Sequence, residues 1–181
     1  MENFCWEWDV IQNMSSHIET KQALPKALFD KMIAAKNYQS GLQMLRQVEF
    51  SLADMHLHYD YDPNGRKTVQ DVLDCIRQKY AVVIPPEFNR FLQSLSHIFA
   101  GGYAAGYYSY KWAEELSADV YSAFDESLAD GNDLISPAMG AKLLDEILSV
   151  GGSRPAIESF VAFRGRQPSI DALLRHNGLA A

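Results

Sequence analysis

The stretch NGRKTVQDVLDCIRQKYAVVIPP, residues 64–86, decides the fold class. Within it Val69, Val72, Leu73, Ile76 and Tyr80 recur at i, i+3, i+4, i+7 and i+11, the spacing that lines side chains along one face of an α-helix. Asn64-Gly65 before the run and Pro85-Pro86 after it break the pattern, so an amphipathic helix is expected between them. The same period extends outward in both directions. Leu42, Leu45, Val48, Leu52 and Met55 predict a longer helix upstream. Met139, Leu143, Leu144, Ile147 and Leu148 predict one downstream, opened by Ser136-Pro137 as N-cap and first helical residue and stopped by Gly151-Gly152. Further helices are expected around Asn3 to Ser16, Pro25 to Lys36 and Pro155 to Phe163, and Ser169 is placed to cap IDALLRH before Gly178. No run alternates apolar and polar residues as a half-buried strand does. The expectation is an all-α chain forming a single helical domain over residues 1–181.

Composition narrows the function classes. A chain of 181 residues with 48% hydrophobic content can bury one core. No run approaches the roughly 18 to 20 apolar residues of a membrane span, and MENFCWEWDV carries acids where a secretory leader carries Lys or Arg. No membrane partner is expected. Cys5 and Cys75 lack any CxxC spacing and read as two reduced, packed thiols, which points to the cytoplasm. A net charge of -7 repels phosphate backbones, so nucleic acid is not an expected partner either. The chain also enters an aromatic-rich helical pattern at Glu2 without a cap, as though it began inside a larger fold. FCWEW, residues 4–8, is therefore expected to be an exposed apolar patch favouring self-association.

The segment SHIFAGGYAAGYYSYKW, residues 96–112, packs four tyrosines, three glycines and a histidine into one short run. On an ideal helix Tyr103, Tyr107, Tyr110 and Glu114 would share a face, while Tyr108, Trp112, Leu116, Val120 and Phe124 would form a separate apolar stripe suited to a core. A phenol is an O–H donor on a stiff arm, suited to gripping carbonyls or a developing oxyanion. Gly101, Gly102 and Gly106 permit backbone conformations that other residues resist. The residues alone leave a second reading open, in which the tyrosines are packing residues with satisfied hydroxyls.

The wider run FLQSLSHIFAGGYAAGYYSYKWAEELSADV, residues 91–120, resembles the active-site segment of the thimet oligopeptidase family of zinc metallopeptidases. MENFCWEWDVIQNMSSHI, LPKALFDKMIAAKNYQSGLQMLRQVEF and FRGRQPSIDALLRHNGL resemble the same family in the same order, so the likeness covers essentially the whole chain. The resemblance implies a helical fold around a deep channel, in which a zinc-activated water cleaves short peptides. The family's ligands are the two histidines of an HExxH helix, whose Glu is the general base, and a Glu from the next helix. This sequence contains no HExxH, and the third ligand belongs to a V-E-x-P-S-Q element that would lie just ahead of Met1. Met1 thus reads as an internal methionine of a longer enzyme, the C-terminal portion of whose catalytic domain is present. By resemblance His97, Tyr103 and Tyr110 carry the catalytic contacts that stabilise the tetrahedral intermediate, and Tyr107, Gly101 and Gly102 bind the peptide backbone. Zinc is expected in the full-length parent and not in this chain, which alone is expected to be inert. The rival expectation is a non-catalytic helical module that binds a peptide or protein.

Other constellations are weighed against plainer readings. His56, His58, Asp60 and Asp62 would project from one face of a strand as metal ligands, but the preceding helical stripe scatters them and DPNGR is a turn, so solvated helix-end residues are expected. His17 and His176 fall near predicted helix C-termini, where imidazolium suits the dipole. Arg164 and Arg166 read as structural ion-pair partners in an acidic protein. Glu114 and Glu115 are adjacent on a helix and diverge by about 100°, so they cannot act as a facing pair.

Overall fold

The computed structural model describes residues 2–180; Met1 and Ala181 lie outside them. Among the described residues the regular structure is helical throughout, with no strand, as the all-α expectation requires. The helices are α1 (Trp8–Met14), α2 (Lys26–Ala35), α3 (Ser40–Tyr59), α4 (Val69–Tyr80), α5 (Phe91–Ser94), α6 (Ser109–Ala129), α7 (Pro137–Leu143), α8 (Ala156–Arg164) and α9 (Asp171–His176). Short 3-10 turns lie at Glu2–Trp6 and Ser96–Ile98, and a π-turn at Leu144–Leu148. The described residues fall into two compact units, one being Gln39–Glu114 and the other residues 2–38 with 115–180.

In the unit Gln39–Glu114 the period of α4 acts as its sequence demands. Leu73 and Ile76 are buried with Ala53 of α3 and with Leu92, Leu95 and Ile98, while Val69, Val72 and Tyr80 pack around them. The helix starts at Thr68, whose hydroxyl accepts the Asp71 N–H while the Asp71 carboxylate accepts the Thr68 N–H at 2.7 Å, a reciprocal capping box. The Thr68 N–H and the Thr68 hydroxyl, which donates to Asp71 Oδ2 at 2.8 Å, together hold the Asp71 carboxyl below its ordinary value. Glu49 of α3 is buried among this apolar surface, yet it is not alone. It accepts from Arg77 Nε of α4 at 2.9 Å and from Arg46 Nη1 at 3.0 Å, and Arg77 Nη2 donates onward to Asn89 Oδ1 at 3.0 Å. A buried charge is tolerated only when paired and hydrogen-bonded, and this one fastens α3, α4 and the segment after Pro86 together.

The other unit is built on the C-terminal part of α6. Phe124 and Phe163 form its centre with Val120, Met139, Leu143 and Ile147. Phe4 meets Tyr121 and Phe124 edge-on, each at 5.1 Å between ring centres. Trp8 lies 5.4 Å from Phe29, and Lys36 Nζ sits 5.2 Å over the Trp6 ring. FCWEW is therefore largely used within its own unit, and the expected bare patch is corrected: only Cys5 of the five is exposed. Cys5 and Cys75 are free, as expected, but exposed rather than packed. The N-terminal helix foreseen over Asn3 to Ser16 is broken in two by Glu7, whose backbone is extended. Asp119 of α6, fully buried, takes Arg166 Nη1 at 2.7 Å, Arg164 Nε at 3.2 Å and the Ser169 N–H at 2.8 Å. Arg164 also reaches Glu126 at 2.6 Å. These are the structural ion pairs foreseen for the two arginines.

Candidate functional site

The tyrosine segment is not the continuous helix its spacing suggested. α6 begins at Ser109, so Tyr103 and Tyr107 lie in the loop before it and only Tyr110 is helical. The cause is backbone geometry. Gly102 has φ +82° and Ala105 has φ +51°, left-handed values that no α-helix accommodates. Gly101 is enforced by proximity: a Cβ there would lie 2.7 Å from His97 Cα and 2.9 Å from its carbonyl oxygen. The loop closes on itself as the Tyr103 N–H donates to the His97 carbonyl at 3.1 Å and the Gly106 N–H to the Tyr103 carbonyl at 2.9 Å.

The loop is also held from outside by Asp54 of α3. The Asp54 carboxylate accepts the Ala105 N–H on Oδ1 and the Tyr107 N–H on Oδ2, both at 2.9 Å. His58 Nδ1 lies 2.9 Å from Oδ1, one helical turn on. The residues Asp54 and Gln47 escaped the sequence reading. Spacing did not mark either one: Asp54 shares its helix face with Ser51 and His58 as well as Phe50 and Leu57, and only its burial shows that its carboxylate must meet donors.

Despite the helix break, the foreseen aromatic residues come together. The rings of Tyr103 and Tyr110 stack at 5.0 Å, Tyr107 lies 5.1 Å from Tyr110, and His97 lies 6.1 Å from Tyr103 and 6.4 Å from Tyr107. Glu114 does not join them; it pairs with Lys111. The three phenols differ in what their hydroxyls are free to do. Tyr107 is half-buried, edge-on to Phe50 at 5.8 Å, and its O–H donates to Gln47 Oε1 at 3.1 Å. Burial pushes its pKa up, against the opposing charge of Arg46. Tyr110 is pushed up first by the Tyr103 side chain stacked on it and then by burial. Both therefore keep their protons through neutral pH, which a donor must. Tyr108, placed by periodicity on a core stripe, is exposed and stacks instead on exposed Trp112 at 6.3 Å; of that stripe only Phe124 is buried, with Leu116 and Val120 half-buried.

The histidine-rich helix end is used locally. His56 pairs with Asp60 at 3.0 Å and His58 with Asp54. His17 lies beyond the end of α1, and its Nδ1 accepts the backbone N–H groups of Glu19 and Thr20 rather than capping helix carbonyls. His176 does end α9; it faces Asp125 at 3.8 Å, and burial lowers its pKa.

The family model for peptidase family M3 matches residues 1–179. The chain belongs to peptidase family M3. It is 48% identical over 179 residues to oligopeptidase A of Salmonella typhimurium, covering 99% of this chain and 26% of that protein. It is 44% identical to the probable cytosolic oligopeptidase A of Arabidopsis thaliana, over 100% of this chain and 26% of that protein. With the thimet-like oligopeptidase of Dictyostelium discoideum it shares 33% identity, over 98% of this chain and 26% of that protein. The M3 peptidase chain thus spans about a quarter of the length of these relatives, and the resemblance read from its loop and termini is borne out. The zinc that the family implies does not fit the residues present. Among those described, no three His, Cys, Asp or Glu side chains gather into a group able to hold a metal ion. Among the described residues, too, no helix is long and apolar enough to cross a membrane.

Proposed function

We propose that this M3 chain supplies the peptide-facing tyrosine segment of an oligopeptidase A-like zinc endopeptidase acting on short peptides, as one part of a larger catalytic domain. The observation that supports this best is the convergence of His97, Tyr103, Tyr107 and Tyr110 where the loop around Gly101 and Gly102 runs into α6, in a chain so similar to oligopeptidase A throughout. Tyr103 and Tyr110 are the donors to a substrate carbonyl and to the oxyanion that develops from it, with His97 beside them. Tyr107, whose hydroxyl is engaged by Gln47, serves mainly to seat Tyr110. The metal and general base belong to sequence that this chain does not contain, and no step through them is assigned to its residues. The isolated chain is accordingly inert toward peptides and works in the cytoplasm only with the remainder of such a peptidase.

Tyr110→Phe tests the reading, in a fusion of this chain to the part of Salmonella typhimurium oligopeptidase A that it does not cover. The ring and its stacking persist while the O–H is lost. Removing one such donor lowers turnover by about 100- to 1000-fold, with far smaller changes in ground-state binding. Tyr108→Phe, on the neighbouring exposed ring, is expected to leave turnover within about twofold. Wild-type turnover in Tyr110→Phe would return the tyrosines to packing.

A further inference from the structure

Resting on the tyrosine reading above, we infer that Asp54 is the positioning residue of the substrate loop. Its carboxylate is fully buried in α3, where an apolar side chain of similar size would satisfy packing. What it meets there is specific. One oxygen accepts the Ala105 N–H and the other the Tyr107 N–H, while His58 Nδ1 lies 2.9 Å from the first. Two N–H groups two residues apart converge on a single carboxylate only when the chain between them folds over it. That fold is the one in which Ala105, a residue with a Cβ, takes φ +51°. Such a conformation persists only where the surroundings impose it, and the carboxylate is the group that does so.

The consequence reaches the phenols through short, stiff links. Ala105 lies two residues after Tyr103, Tyr107 is itself clamped, and Tyr110 stacks on Tyr103 and meets the Tyr107 ring at a tilt of 56°. Releasing either N–H frees the loop to relax toward right-handed backbone and carries Tyr103 away from Tyr110. Oxyanion donors act only when preorganised, and a misplacement of about 1 Å costs on the order of 100-fold. Asp54 touches no substrate atom. It decides where the atoms that do will stand.

The test begins with the 181-residue chain itself. Although Ala105 and Tyr107 lie outside any helix, their amides should exchange with solvent far more slowly than those of an unstructured peptide; exchange at unstructured rates overturns the inference. Asp54→Asn keeps the shape but turns an NH2 toward one of the two donors. Its Ala105 and Tyr107 amides should exchange at least about tenfold faster, with Leu73 and Ile76 of α4 unchanged. In the fusion described above, kcat should fall by about 10- to 100-fold, with KM within about threefold and zinc content unchanged. Ala105→Gly on the Asp54→Asn background should restore part of the loss, because glycine adopts positive φ freely. An Asp54→Asn chain that does not fold, or that loses protection equally throughout α4, overturns the inference by making the carboxylate a support of the whole unit. Tyr110→Phe separates the two ideas. Lost turnover there with wild-type kcat in Asp54→Asn refutes the positioning role, whereas wild-type turnover in Tyr110→Phe refutes the tyrosine reading, and amide exchange still judges the clamp.

Discussion

Asp119 does for its unit what Asp54 does for the other: a buried carboxylate on a long helix gathers donors from a remote segment, here Arg164, Arg166 and the Ser169 N–H. Burial pushes the Asp119 carboxyl up, but the Arg166 hydrogen bonds, the Ser169 N–H and the two guanidinium charges outweigh it and hold the group below its ordinary value of 3.8. A folded pKa below the unfolded one means that the unfolded chain binds more protons between them. The stabilisation is therefore complete above the unfolded value and lost as pH falls through the folded one. Wild-type stability in urea should hold its Asp119 contribution at about pH 5 and shed it below about pH 4, an acid arm that Asp119→Asn lacks. Asp119→Ala should cost about 3 kcal/mol at pH 7, the low end for a broken buried pair, because Arg164 keeps Glu126. Circular dichroism across a urea titration measures both. Neither aspartate could be given its partners from sequence, since the donors lie 45 to 53 residues away along the chain. Nor did spacing mark either as buried, since Ser51 and His58 share the helix face of Asp54, and Glu115 and Ser122 that of Asp119.

At the level of the helices, the existence of each segment was legible and its ends less so. α4 was framed by Asn64-Gly65 and Pro85-Pro86, yet its start is set by Thr68 and Asp71, a signal present in TVQD and not used. Thr68→Ala should cost about 1 kcal/mol, read as a lower urea midpoint at constant slope. Ser136 and Pro137 do open α7 as expected, with the Ser136 hydroxyl accepting the Met139 N–H at a longer 3.5 Å. The foreseen stripe then divides. Leu143 and Ile147 face the core while Leu144 and Leu148, about 100° further round, are exposed, and Leu144–Leu148 winds as a π-turn that residue spacing does not announce. The start of α6 was misread for a related reason. Periodicity reports which residues share a face if the backbone is helical, and it carries no record of the two positive φ angles at Gly102 and Ala105 that keep the loop from being so.

For the whole chain, the expected outcome is a protein that purifies without stoichiometric zinc and leaves a quenched short peptide uncut. The family's HExxH is absent from its 181 residues, and a catalytic zinc needs three converging protein ligands. About one zinc per chain with chelator-sensitive cleavage would contradict this. Self-association is a separate expectation, now less tied to FCWEW because Phe4, Trp6 and Trp8 are half-buried in their own unit; light scattering across a concentration series measures it, and a monomer throughout would refute it. By itself the sequence determined that the chain is helical, which faces of α3 and α4 are apolar, and which family it belongs to. Those properties follow from local spacing and from residue identity, both complete in a linear chain. Only the tertiary structure decided that Tyr103 and Tyr107, on a loop, meet Tyr110 of the first turn of α6 as a cluster instead of lining one helix face. That arrangement depends on Asp54 reaching Ala105 and Tyr107 more than fifty residues away, and a hydrogen bond across such a distance exists only after the chain has folded.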